Sequence, residues 1–206
     1  DLDEWKEEYT RAQENKKMVN SLKAGFATTA TVVEDENRQE GRDNILKYRA
    51  HMVLLAQNQK GLNNLFKLIS ESYTQKYFYR FPRIDHNLLA KYSEGIIATS
   101  ACLGGVYAKD MWHNRNDRSA ALEAMRKTTD KMISVFGDRW YGELQWNNVP
   151  EQHELNRYII QMHQEFGIDL ISTADSHYYN ADVWKDRELY KRLGWLGKGR
   201  PDYLSD

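Results

Sequence analysis

The chain has one cysteine, Cys102, no apolar run long enough for a membrane helix, and no excess of either charge. A single cysteine excludes an internal disulfide framework. A transmembrane helix needs about 18 or more apolar residues in a row, and neither that run nor a signal-peptide pattern is present. The expected location is therefore the cytoplasm. Lys plus Arg total 29 against 30 Asp plus Glu, a formal net charge of −1. The molecule lacks the net basic field that grips nucleic acid irrespective of sequence. A glycine-rich phosphate loop, a G-x-S-x-G elbow and a paired C-x-x-C are also missing, which excludes the function classes those motifs mark.

What is there suits a globular protein. The 206 residues, 41% hydrophobic, suffice for one large domain or two small ones with a true core. The chain opens on Asp1 rather than Met, so a start inside a longer polypeptide is expected. Residues 1–50 are mostly polar. Trp5, Tyr9, Met18, Val19 and Leu22 form a sparse helical stripe, a peripheral strand is expected within residues 25–33, and the charged stretch Glu34 to Arg42 reads as a surface loop.

From His51 the texture becomes βα. Strands are expected at Met52 to Ala56, Gly95 to Thr99, Trp140 to Gln145 and Ile168 to Thr173. The helices between them run to about Tyr73, from an Asp85 cap to Tyr92, from about Asp117 to Phe136, and from Pro150 to a stop at Gly167. A last helix covers about Ala181 to Leu193. Strands alternating with helices predict an α/β fold with parallel pairing. In such a sheet Cys102, Gln145 and the Asp175-x-His177 pair, each following its strand, gather at one mouth, whereas His51 precedes its strand.

Several side chains carry chemistry and a structural alternative together. Asp175 and His177, an i, i+2 pair beyond a buried strand, can chelate zinc or manganese, or act as a helix cap and a surface histidine. Cys102 is a metal ligand or a small buried hydrophobe. His51 is a ligand or a core histidine satisfied by backbone. Glu143 and Gln145 share one strand face and need polar partners there. Arg83, beside Pro82, offers a guanidinium to phosphate or makes a surface ion pair. His86, His113, His153 and His163 are expected in solvent.

Read in order, the segments His51 to Asn58, Gly61 to Ile69, Phe81-Pro-Arg-Ile-Asp85, Tyr92 to Leu103, Glu143-Leu-Gln145 with Pro150-Glu-Gln152, and Thr173-Ala-Asp-Ser-His-Tyr178 closely resemble the PHP (polymerase and histidinol phosphatase) domain of bacterial DNA polymerase III alpha subunits. Motifs in fixed order are more specific than any alone. The resemblance covers roughly residues 48–180. It implies part of a distorted PHP-type β/α (TIM-like) barrel holding up to three divalent ions, zinc, manganese or magnesium, with His51, Cys102, Asp175 and His177 as ligands. The family's remaining ligand motifs would lie before Asp1, so the chain resembles the C-terminal half of such a domain, from a divergent, phage-type replicase. Residues 1–50 would be a variable insertion, 51–180 the PHP half-domain, and 181–206 a linker toward a polymerase core. The implied activity is metal-dependent phosphoester hydrolysis, a 3′-5′ exonuclease, or a structural role within a DNA-directed DNA polymerase. The implied partners are DNA, dNTPs and other replisome subunits, reached through the parent polymerase. Four ligands without the rest would bind metal weakly and not catalyse. The alternative is a stand-alone phosphoesterase such as histidinol phosphatase.

Overall fold

The computed structural model describes residues 27–33, 49–78, 82–177 and 179–196. The helical stripe expected over residues 5–22 and the charged loop of 34–42 lie outside them. The chain divides into two units, residues 1–173 and 174–206.

The first unit holds a six-stranded sheet. Its strands are β1 (Ala27–Val33), β2 (Ala50–Ala56), β3 (Ile84–Asp85), β4 (Ile96–Thr99), β5 (Trp140–Gln145) and β6 (Asp169–Thr173), in the order β3-β1-β2-β4-β5-β6. The helices are α1 (Gln59–Ser72), α2 (His86–Tyr92), α3 (Val106–His113), α4 (Arg118–Phe136) and α5 (Pro150–Phe166). The second unit carries a 3-10 turn, Ala181–Val183, and α6 (Trp184–Leu196).

Local chemistry sets the helix ends. Asn58, Asp85 and Asp117 accept through their side chains from the amides of Gly61, Leu88 and Ala120 at the starts of α1, α2 and α4, relieving donors that no helical turn can satisfy. Pro150 opens α5, and Gly167 closes it in the left-handed region at φ 68°, where a side chain would be strained. The helix α3 has no counterpart in the sequence expectations. Its signal is the apolar set Val106, Tyr107, Ala108 and Met111 just past Gly104-Gly105.

Strand alternation sends Met52, Leu54, Ile96, Ala98, Trp140, Leu144 and Leu170 into the main core with residues from the helices. Ile97, Tyr141 and Ile171 form a smaller apolar cluster with Leu55 packed against it. Both faces of β4 and β5 are buried.

Two expectations about the sheet need correction. β4, β5 and β6 pair in parallel, as do β1 and β3, but β2 runs antiparallel to both of its neighbours, β1 and β4. The parallel rule assumes one helix between neighbouring strands. Here α1, β3 and α2 all lie between β2 and β4, and the detour through β3 lets the chain re-enter the sheet from the opposite end. Secondly, the sheet is open: among the described residues its edge strands β3 and β6 do not pair, so no barrel closes. The strand expected as peripheral, β1, sits inside the sheet between β3 and β2.

Candidate metal centre

The reversal of β2 determines which residues meet. His51 lies at its start, and its backbone N–H donates to the carbonyl of Gly104 at 2.8 Å. In a parallel β2 that residue would lie at the far end of the sheet, about 20 Å away for a seven-residue strand. Antiparallel, it sits beside the loop that leaves β4.

That loop is tightly pinned. Ala101 has φ 57°, a conformation a β-carbon disfavours, and its N–H donates to Thr99 Oγ1 at 3.3 Å. Gly105 N–H donates to the Cys102 carbonyl at 2.7 Å, and Trp112 Nε1 donates to the Leu103 carbonyl at 3.1 Å. The Cys102 Sγ lies 3.9 Å from His51 Nδ1 and accepts from Gly104 N–H at 3.4 Å. A β-carbon on Gly104 would stand 3.2 Å from Nδ1 and 3.7 Å from Sγ, so glycine keeps the space beside both atoms open. His51 is exposed and Cys102 half-buried, so neither has the buried setting of a core side chain.

An imidazole nitrogen and a thiol sulfur make a donor pair suited to a borderline ion such as zinc. Zinc–nitrogen and zinc–sulfur bonds of about 2.0–2.1 and 2.3 Å together exceed the 3.9 Å gap, so one ion can reach both atoms at a bent angle. The pair fits a metal. Among the described residues no group of three or more His, Cys, Asp or Glu side chains is assembled around a common point.

Deeper in the first unit, Glu143 is 5% exposed. Its Oε1 accepts from Gln145 Nε2 at 2.9 Å and Thr173 Oγ1 at 2.6 Å, and its Oε2 accepts from Thr99 Oγ1. Gln145 is fixed in turn by Asn156, which donates to the Gln145 carbonyl at 2.9 Å and accepts from its N–H at 3.4 Å. The shared face expected for Glu143 and Gln145 is therefore present, with the two side chains bonded to each other.

In the second unit Asp175 has φ 46° and is half-buried. It does not cap the turn that follows. Asn180 does so, accepting through Oδ1 from Asp182 N–H at 3.2 Å. His177 is exposed, and its Nδ1 lies 2.6 Å from the Asp175 carbonyl. A carbonyl only accepts, so Nδ1 carries a proton, and in that tautomer Nε2 is the nitrogen whose lone pair can meet a metal. Backbone carbonyls orient metal-binding histidines in this way.

The family model for the PHP domain matches residues 1–147. The chain belongs to the PHP domain family. It is 40% identical over 167 residues to the DNA polymerase III subunit alpha of Aquifex aeolicus, covering 81% of this chain and 14% of that protein. Against the Borreliella burgdorferi subunit it is 39% identical over 153 residues, 74% of this chain and 13% of the relative. The Deinococcus radiodurans subunit gives 36% over 155 residues, 75% and 10%. The chain thus spans about a seventh or less of the curated relatives it matches.

Other residues of this PHP domain depart from expectation or were not anticipated. Arg83 is 6% exposed, with Nε donating to the Tyr77 carbonyl at 3.3 Å, which ties its guanidinium into the fold. His163, expected in solvent, is buried, its Nδ1 2.6 Å from the Ile168 carbonyl. The turn at Gly167 folds that carbonyl back onto the last turn of α5. Thr99, Thr173, Gly104 and Asn156 all serve the site without standing out in the sequence. Only their position at or just beyond strand ends, or facing one, could have marked them. No helix among the described residues is long and apolar enough to cross a membrane.

Proposed function

We propose that this chain is the PHP portion of a replicative DNA polymerase of the polymerase III alpha type, that His51 and Cys102 hold a divalent metal ion, and that Asp175 and His177 are metal-ligating residues in their own right. The observation that carries this is the His51 Nδ1 to Cys102 Sγ approach of 3.9 Å, beside space kept open by Gly104. The identity to polymerase III alpha subunits supports the replicative context, and the freed Nε2 of His177 supports its role as a ligand. When bound, such ions polarise a phosphoester and supply a metal-activated water. The chain's own residues hold the ligand atoms: the Gly104 carbonyl fixes His51 through its backbone, Ala101 and Gly105 shape the Cys102 turn, and the Asp175 carbonyl sets the His177 tautomer. In a polymerase, phosphoester hydrolysis at a DNA 3′ end would act as a 3′-5′ exonuclease.

Metal analysis of purified protein after exposure to zinc or manganese tests the reading. Bound metal is expected in the unmodified chain, with affinity falling about tenfold or more for His51→Ala and for Cys102→Ala. Affinity unchanged by both substitutions would refute the ligand assignment. In the full-length parent, metal-dependent release of 3′-terminal nucleotides, lost on Asp175→Ala with His177→Ala, tests the hydrolytic part.

A further inference from the structure

We infer that Glu143 is a positioning residue for the metal centre, a buried carboxylate that sets the exits of β4 and β6 together. This deepens the metal-binding proposal and rests on it. The carboxylate sits on β5, the strand between the two it controls. Three donors converge on its two oxygens, from Thr99, Gln145 and Thr173, and an ionised carboxylate is an acceptor-only group able to take them all.

Each threonine arm ends at a ligand-bearing segment. Thr99 is the last residue of β4. Its hydroxyl donates to Glu143 and, through the same oxygen, accepts from Ala101 N–H. That orientation is the one needed to hold Ala101 in its left-handed conformation, and Ala101 directly precedes Cys102. Glu143 thereby directs the Thr99 proton toward itself and leaves the oxygen lone pair for the loop. Thr173 is the last residue of β6, two positions before Asp175, and it donates to the other carboxylate oxygen. A second link runs through the backbone, where Glu143 N–H donates to Ser100 Oγ at 2.8 Å. The ladders already pair Thr99 with Tyr141 and Thr173 with Gln145, but they leave the side chains at the two exits unlinked. A common acceptor between them fixes both exits at once.

Cys102 is the only cysteine in the chain, so its reaction with a chromogenic disulfide reports on this loop alone, without metal. The variants are Thr99→Val, which removes both hydroxyl bonds at nearly constant volume, Thr99→Ser, which keeps them, Glu143→Gln and Thr173→Val. In the metal-free 206-residue chain, the Cys102 reaction rate is expected to change about fivefold or more in Thr99→Val, in line with the loss of a buried hydrogen bond. Thr99→Ser should restore it, and Thr173→Val should leave it within twofold. With zinc, affinity is expected to fall about tenfold or more in Thr99→Val, the usual effect of losing a group that orients a ligand. Glu143→Gln should fall between Thr99→Ser and Thr99→Val, because an amide nitrogen turned toward Thr99 reverses that hydroxyl.

Far-UV circular dichroism identifies variants that fail to fold. If Glu143→Gln is among them, the Thr99 pair still decides the matter. Thr99→Val folded and within twofold of the unmodified chain in both thiol rate and zinc affinity would overturn the positioning role. Absence of zinc binding in the unmodified chain would instead count against the metal proposal, and the thiol rates would still test the clamp.

Discussion

Gly61→Ala places a methyl group where the fold has no room. A β-carbon there would lie 1.8 Å from the Gly95 carbonyl oxygen and 2.5 Å from its carbon, while carbon atoms in van der Waals contact sit about 3.5–4.0 Å apart. Both neighbours are backbone, so no rotamer relieves the clash. Moving α1 or the Gly95 turn by more than about 1 Å strains three bonds that hold them together. Gln57 N–H donates to that same Gly95 carbonyl at 2.8 Å, the Asn58 cap receives Gly61 N–H at 2.9 Å, and Asn64 donates to the Glu94 carbonyl at 2.9 Å. Each is worth about 0.5–1.5 kcal/mol. Alanine returns about 1 kcal/mol of helix propensity, leaving a net loss of roughly 1–3 kcal/mol, the usual range for overpacking. The midpoint of thermal unfolding would fall by about 2–4 °C per kcal/mol for a chain of this size. Urea unfolding followed by circular dichroism measures the loss. Gly194→Ala in α6 is the control, because nothing lies within 4 Å of its β-carbon position. There the same exchange should raise helicity. A Gly61→Ala protein as stable as the parent would refute the close-contact account.

Tyr107 accepts from Trp140 Nε1 at 3.0 Å and donates to Thr129 Oγ1 at 2.8 Å, since Thr129 itself donates to the Met125 carbonyl. Tyr107→Phe leaves the buried indole N–H without an acceptor and should cost about 1–3 kcal/mol, measured by urea unfolding. Burial also pushes the Tyr107 phenol up to about 12 from 10.0. Its raised folded value means its contribution is full below pH 10 and is lost as pH rises toward 12, a decline that Tyr107→Phe should lack. At the acid end, the Arg126 guanidinium and then the Gln161 amide hold the Glu165 carboxyl below its usual 4.5. The stability it confers is present above 4.5 and lost as pH falls through the lower folded value. Glu165→Gln should flatten acid unfolding in that window, and an unchanged acid limb would contradict the pairing.

The individual elements were legible from local sequence. The boundaries of β5 and α5, the Asp85 cap and the Gly167 stop follow from apolar period, capping side chains and backbone freedom, all properties of residues within a turn of one another. The ordered motifs around His51, Cys102, Asp175 and His177 made the family legible as well. How the strands pair was not legible there and emerged from the folded sheet. The reversal of β2 depends on which edge β4 meets after a detour of some forty residues, and no local pattern encodes that choice. It is the reversal that brings His51 against Cys102, where the parallel rule would have put them at opposite ends. The same distance in sequence hid the partners of Glu143, which lie 44 residues before it and 30 after. Local chemistry names an acceptor, but only the pairing of distant strands supplies its donors.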